Sequence, residues 1–152
     1  MTAREDLHTP FRPRMARRVA QALGLLTIAG AAAIMILVPR IENVVFTAGD
    51  QIGTAALTAV ILWLLWRQAA VRAVPDDRGL TVRNFIVTRA VEWAEIVSVS
   101  FGEGSPWVML DLSDGDTLAV MAIQRADGAR GVAESRRLAT LVALHEPQVD
   151  KD

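Results

Sequence analysis

Three sets of residues in this sequence have types and spacings that invite chemistry. The first is Asp111-x-x-Asp114-Gly115-Asp116, three carboxylates around one glycine, which is the composition of a calcium loop. An EF-hand loop needs acids at alternate positions, a glycine at its bend and a closing glutamate, so that enough oxygens converge on the cation. This spacing does not comply, and Asp114-Gly115 reads instead as a solvated hairpin turn. The second set is His8 and His145 with the serines Ser98, Ser100 and Ser105. A serine nucleophile needs a histidine base within hydrogen-bond reach, and no nucleophile-elbow sequence surrounds any of these serines. No P-loop or dinucleotide fingerprint occurs either. The third set is aromatic and basic: Trp93 and Trp107 in the C-terminal half, and Arg14, Arg17, Arg18, Arg67 and Arg72 beside two apolar runs. These are candidates for binding and anchoring, not for catalysis. The sequence therefore predicts no enzyme, no metal site and no cofactor.

Composition narrows the classes further. The chain has 152 residues, a hydrophobic fraction of 52% and a net charge of -1. That leaves room for one modest domain plus an anchor, and gives no electrostatic case for nucleic acid. There is no cysteine, which removes disulfides, thiolate metal sites and thiol nucleophiles. Lys151 is the sole lysine, so nearly all positive charge is arginine. With the abundant alanine, this reads as the bias of a GC-rich genome.

The elements that must position these residues begin with an anchor. Val19 to Val38 carries no charge, with Gln21 its strongly polar side chain. Its 20 residues cover roughly 30 Å as a helix, the thickness of the bilayer hydrocarbon. The patch Ala29-Gly30-Ala31-Ala32-Ala33 would let a second helix approach closely. That partner is the run ending in Ile61-Leu62-Trp63-Leu64-Leu65-Trp66, which reaches full length when extended back to about residue 47, with Asp50 near its outer boundary. The two spans are placed at about 19–38 and 47–66. A secretory signal peptide would have a shorter core and a small-residue cleavage site, which this run lacks. Arginines flank the pair on its outer sides, Arg4, Arg12, Arg14, Arg17 and Arg18 before it and Arg67, Arg72 and Arg78 after it. The loop between holds Arg40 beside Glu42 and Asp50, so both termini are expected in the cytoplasm.

From Val71 the periodicity changes from helical to two-residue alternation. Pro75-Asp76-Asp77-Arg78-Gly79 is a turn, and Leu80-Thr81-Val82-Arg83 a half-buried strand. Asn84-Phe85 turns the chain into a strand from Ile86 to Val91. Ile96 to Phe101 is a further strand, stopped by Gly102-Glu103-Gly104-Ser105-Pro106, and Trp107 to Leu112 pairs with Thr117 to Ala122 around Asp114-Gly115. A helix capped by Asp127 follows, with Leu138, Leu141, Val142 and His145 on one face and Arg136 and Arg137 turned away. The count is six or seven short strands and one C-terminal helix.

Gly79-Leu80-Thr81-Val82-Arg83-Asn84, Arg89, Val91-Glu92-Trp93-Ala94-Glu95-Ile96, Trp107, Leu112-Ser113-Asp114-Gly115 and Val120-Met121-Ala122-Ile123-Gln124 together resemble a bacterial PH-like family. It is the PH domain family named after low molecular weight protein antigen 6, found mainly in actinobacteria. The similarity covers roughly residues 67–145, and members commonly carry a two-helix anchor ahead of the domain. The resemblance implies an α+β chain: an N-terminal transmembrane helical hairpin, then a small PH-like antiparallel β-barrel or sandwich with a C-terminal α-helix. Its parts are an Arg-rich tail (1–18), the hairpin (19–66), the PH-like domain (67–146) and a polar tail (147–152). The resemblance also raises phosphoinositide binding, for which lipid-binding PH domains cluster bases in their first strand–strand loop. Here that loop is Val74-Pro75-Asp76-Asp77-Arg78, where two acids oppose one base, so specific headgroup binding is not expected.

Trp93, followed by Ile96, is expected to fill the core, since a large aromatic body gains most from burial. Trp107 fits either the core or an exposed binding edge. The expected function is a multi-pass, membrane-anchored interaction module with its domain in the cytoplasm, embedded in the lipid bilayer and holding a protein partner. The alternative is a membrane-lipid or cell-envelope accessory acting through its helices and Arg-rich flanks.

Overall fold

The computed structural model of the chain describes residues 7–102 and 104–145. Residues 16–69 form one compact unit, and residues 7–15 with 70–145 form another. The tail expected at 147–152 lies outside the described residues.

In the first unit, helix α1 (Arg14–Leu37) and helix α2 (Ala48–Ala69) are both long and apolar enough to cross a membrane. Thr47 begins α2: its backbone N–H donates to the Asp50 carboxylate at 2.8 Å, while the Asp50 N–H returns to its hydroxyl at 3.3 Å. This reciprocal cap explains how an acid is accommodated in the first turn of an otherwise uncharged stretch. The hydroxyls of Thr27, Thr54 and Thr58 donate to carbonyls one turn back, at 2.8, 2.8 and 2.7 Å, so these three side chains are satisfied within their own helices. Ala31 and Ala32 of α1 and Ala55 and Ala59 of α2 line a common open apolar groove, while at Gly30 of the expected small-residue patch nothing stands within 4 Å of where a Cβ would be.

In the second unit, alternation decides the strands. β1 (Arg72–Pro75), β2 (Gly79–Arg83) and β3 (Thr88–Glu92) form one antiparallel sheet in that order. β4 (Ile96–Ser100), β5 (Trp107–Leu112) and β6 (Thr117–Gln124) form a second. Leu80 and Val82 point inward from β2, Val108, Leu110 and Leu112 from β5, and Leu118 and Val120 from β6. The turn residue Gly115 has φ 86°, open to glycine at no steric cost. At Gly79 the sheet itself demands glycine, because a Cβ there would stand 2.0 Å from the Val91 carbonyl oxygen. The strand expected from Ile86 begins instead at Thr88. Asn84 N–H closes a turn on the Val87 carbonyl at 2.9 Å, leaving Ile86 and Val87 in the turn.

Helix α3 (Ala129–His145) completes the core with Leu138, Leu141 and Val142. Two expectations about this region change. Arg137 does not turn away: its guanidinium lies over the Phe11 ring, 3.8 Å from the centroid, and donates to the Leu7 and Thr9 carbonyls. Asp127 does not cap its own helix; its carboxylate accepts the backbone N–H groups of Arg14 and Met15 at 3.0 and 2.7 Å. Both corrections have one cause. The segment before α1, read from sequence as a tail, is part of this domain: Phe11 and Pro13 are fully buried, and Phe11 bridges antiparallel to Ala73.

Candidate functional site

The turn between β1 and β2 is where a PH-like domain would present bases to a phosphate. Here its polar groups are already engaged. The Asp76 carboxylate accepts the N–H groups of Arg78 and Gly79 at 2.8 and 2.9 Å, and Asp76 N–H donates to the Gly79 carbonyl at 2.9 Å. Trp93 Nε1–H donates to the Asp76 carbonyl at 2.9 Å, and Trp93 N–H to the Arg78 carbonyl at 3.2 Å. The turn is thus fastened to a buried indole, 4% exposed, which fills the core. Arg78 is left as the turn's single cation beside the carboxylates of Asp76 and Asp77.

Next to this turn an open groove of about 420 Å³ runs along the outer side of β2 and β3, lined by Asp76, Arg78, Thr81, Ala90, Glu92 and Glu95 among others. β3 is the last strand of its sheet, and among the described residues no strand pairs with its far side. Its Thr88, Ala90 and Glu92 are exposed. Glu92 and Glu95 form a capping box around the short helical turn Trp93–Glu95, with Glu92 N–H donating to the Glu95 carboxylate at 2.7 Å. The face of the β2–β3 pair thus carries a mainly acidic groove, and the far side of β3 is an open strand edge suited to an extended segment.

The three carboxylates that suggested calcium are held by the protein's own donors. Arg89 reaches Asp114 at 3.1 Å and Asp116 at 3.0 Å. The hydrogen bond to Asp116, followed by the attraction of both carboxylates, raises the Arg89 pKa above its ordinary value. Asp111 accepts the Ser98 hydroxyl across the β4–β5 pair. Among the described residues no three His, Asp or Glu side chains are grouped to hold a metal ion.

The two histidines, remote in sequence, come together. The His145 ring stacks on Trp93 at 5.0 Å, and His8 meets His145 edge-on at 6.4 Å. His145 Nδ1–H donates to the Leu141 carbonyl at 2.8 Å, which ties this ring to its own helix. Ser98 and Ser100 are engaged by Asp111 and the Met109 carbonyl, so neither is paired with a histidine. Trp107 is half-buried at the start of β5, where it pairs with the buried Gln124 of β6 in the sheet that does not include the groove's β2 and β3. Of the flank arginines, Arg14, Arg17 and Arg18 lie in the first turns of α1, Arg67 sits over the Trp63 ring at 5.7 Å in α2, and Arg72 opens β1. Sequence reasoning missed Phe11, Arg137 and Asn84. An aromatic between two prolines, Pro10-Phe11-Arg12-Pro13, was the available signal for the first.

Comparison with known proteins agrees with this architecture. The bacterial PH domain family matches residues 69–140. An uncharacterised protein of Mycobacterium tuberculosis is 34% identical over 148 residues, covering 97% of this chain and 96% of its own, and its Mycobacterium bovis counterpart is equally similar. Low molecular weight protein antigen 6 of Mycobacterium tuberculosis is 40% identical over 52 residues, 34% of this chain and 46% of that one. No solved structure matches.

Proposed function

Because the chain belongs to the bacterial PH domain family, we propose that it is a non-enzymatic interaction module, anchored by two membrane spans and holding a protein partner at the cytoplasmic face. The observation that carries this reading is the open edge of β3 beside the acidic groove. An extended basic segment adds there as a further strand: main-chain hydrogen bonds supply affinity, and Asp76, Glu92 and Glu95 select its charge. Orientation rests on Arg14, Arg17, Arg18, Arg67 and Arg72, against a connecting loop with Arg40, Glu42 and Asp50. The pairing of Phe11 with Ala73 supports a common side for the outer flanks of the two spans, and the arginines alone speak for which side that is.

Affinity capture from detergent-solubilised membranes tests the partner reading, with the full chain compared against Ala90→Lys. A lysine on an edge strand blocks strand addition with little effect on the fold. A protein held by the wild type and lost with Ala90→Lys supports the reading; equal capture by both rejects the β3 site. Reporter fusions at Asp152 and in the 41–47 loop test orientation, and external activity from the Asp152 fusion rejects it.

A second reading, contact with lipid or envelope components through the helices and arginine flanks, is favoured by the number of arginines on those flanks. Retention of a particular lipid class by the purified chain, abolished in Arg17→Gln/Arg18→Gln, would favour it over the first.

A further inference from the structure

The turn between β2 and β3 combines features that its own domain does not use. Ile86 is 77% exposed and Val87 58% exposed, two branched apolar side chains side by side at a hairpin tip. They are presented, not loosely placed. Asn84 fastens the base of the turn to the other sheet, its side-chain amide donating to the Ala119 carbonyl at 2.7 Å and its oxygen accepting the Met121 N–H at 3.1 Å. The Asn84 N–H closes the turn on Val87.

Beside the tip runs a row of positive charge. Arg72 and Arg83 are cross-strand partners, and the antiparallel bridge of Phe11 to Ala73 brings Arg12 next to Arg72. Phe11, Ala73 and Val82 point inward, so the three arginines share the outer face. Like charges opposed across a sheet repel. Among the described residues none of the three has a carboxylate partner. The repulsion is relieved by an anionic surface.

Chain connectivity says which surface. The N-terminal segment leaves the domain after Pro13, and β1 enters it at Arg72, directly after α2. Since Phe11 and Ala73 pair antiparallel, both junctions lie at the same end of the sheet, the end that carries Arg83 and the Asn84–Val87 turn. The exposed apolar tip and the arginine row thus stand where the chain passes to its two apolar helices.

We propose that the β2–β3 turn is a second membrane contact: Ile86 and Val87 enter the boundary between headgroups and acyl chains of the bilayer that holds α1 and α2, and Arg12, Arg72 and Arg83 meet anionic headgroups. Apolar burial combined with basic residues is how peripheral elements bind such interfaces. The contact adds a second attachment of the chain to the bilayer. It rests on the membrane-anchored reading.

The absence of cysteine makes the test direct, because one introduced thiol carries one label. Full-length Val87→Cys, Asp77→Cys and Ile28→Cys are labelled with an environment-sensitive fluorophore and reconstituted into phosphatidylcholine–phosphatidylglycerol vesicles containing acyl-chain nitroxide lipid. Ile28 reports the span, and Asp77, on the turn at the other end of β2, reports the part of the domain turned from the bilayer. Quenching of the Val87→Cys label at least double that of the Asp77→Cys label, and halved by Arg72→Glu/Arg83→Glu, is the expected result. Equal quenching at 87 and 77 with strong quenching at 28 overturns the turn contact and leaves the anchor standing. No quenching at 28 overturns both. A label at 87 shielded from lipid nitroxide and from an aqueous quencher alike lies against protein, which also overturns the contact.

Discussion

The two turns that bound β2 solve opposite problems. At Pro75–Gly79 the chain is polar, yet its backbone and the Asp76 carboxylate are turned back into the fold: Asp76 closes its own loop and Trp93 ties it to the core. At Asn84–Val87 the polar groups are also satisfied internally, but the side chains left facing out are Ile86 and Val87. A turn's composition therefore does not state what it can bind; what counts is which groups remain after the fold has used its share. The first turn offers one cation among carboxylates. The second offers apolar surface beside three arginines.

The largest effect expected from breaking this contrast is at Trp93. Trp93→Ala empties the core and releases the Asp76 carbonyl, for a loss of about 3–5 kcal/mol. Urea unfolding of the full chain in detergent, followed by near-ultraviolet circular dichroism, measures it; a loss under about 1 kcal/mol would mean that the indole is not the keystone of the first turn. Phe11→Ala should fall in the same range of about 3–5 kcal/mol, since the ring is fully buried and covered by Arg137. A negligible loss would return residues 7–13 to the status of a tail.

Gly79→Ala comes next, at about 1–3 kcal/mol, because the added methyl meets a backbone carbonyl that cannot rotate away. Asp76→Ala and Asn84→Ala each remove two hydrogen bonds from a turn base and should cost about 1–2 kcal/mol apiece. The two differ in a second readout. Asp76→Ala loosens the groove end and should weaken any peptide bound at β3, whereas Asn84→Ala should alter only the lipid contact of the tip. Titration of the chain with soluble inositol phosphates at physiological salt belongs to the same comparison. No saturable binding is expected, for Arg78 alone cannot offset two neighbouring carboxylates. Micromolar binding abolished by Arg78→Ala would reverse the assignment of roles between the turns.

Much of the fold was legible because burial and periodicity coincide. Leu80 and Val82, Val108, Leu110 and Leu112, and Leu138, Leu141 and Val142 fall on the inner side as their spacing requires. The helical pair was legible from length and charge. The misreadings came where a residue's partner is far away in sequence. Arg137 looked solvent-facing because nothing on α3 shows that Phe11 will slide beneath it, 126 positions earlier in the chain. Asp127 fits a local cap rule, and only the fold shows that Arg14 and Met15 claim it. Ile86 and Val87 have high strand propensity, but Asn84 closes a turn around them, and tertiary hydrogen bonds override propensity. At the candidate site, the openness of the β3 edge was invisible, since sequence gives strands but not their order in a sheet.

The smallest expected effect separates the turns most cleanly. Ile86→Ser with Val87→Ser should change stability in detergent by no more than about 0.5 kcal/mol, because side chains already in solvent have little burial to lose. Serine also has a lower strand propensity, but these positions lie in a turn, where that preference carries little penalty. The same double substitution in vesicles should remove the acyl-chain contact of the tip while α1 and α2 keep theirs, since the change touches neither helix. If the loss of stability in detergent instead exceeds about 1 kcal/mol, the two side chains pack within the domain, and the apolar turn is as inward-looking as the polar one.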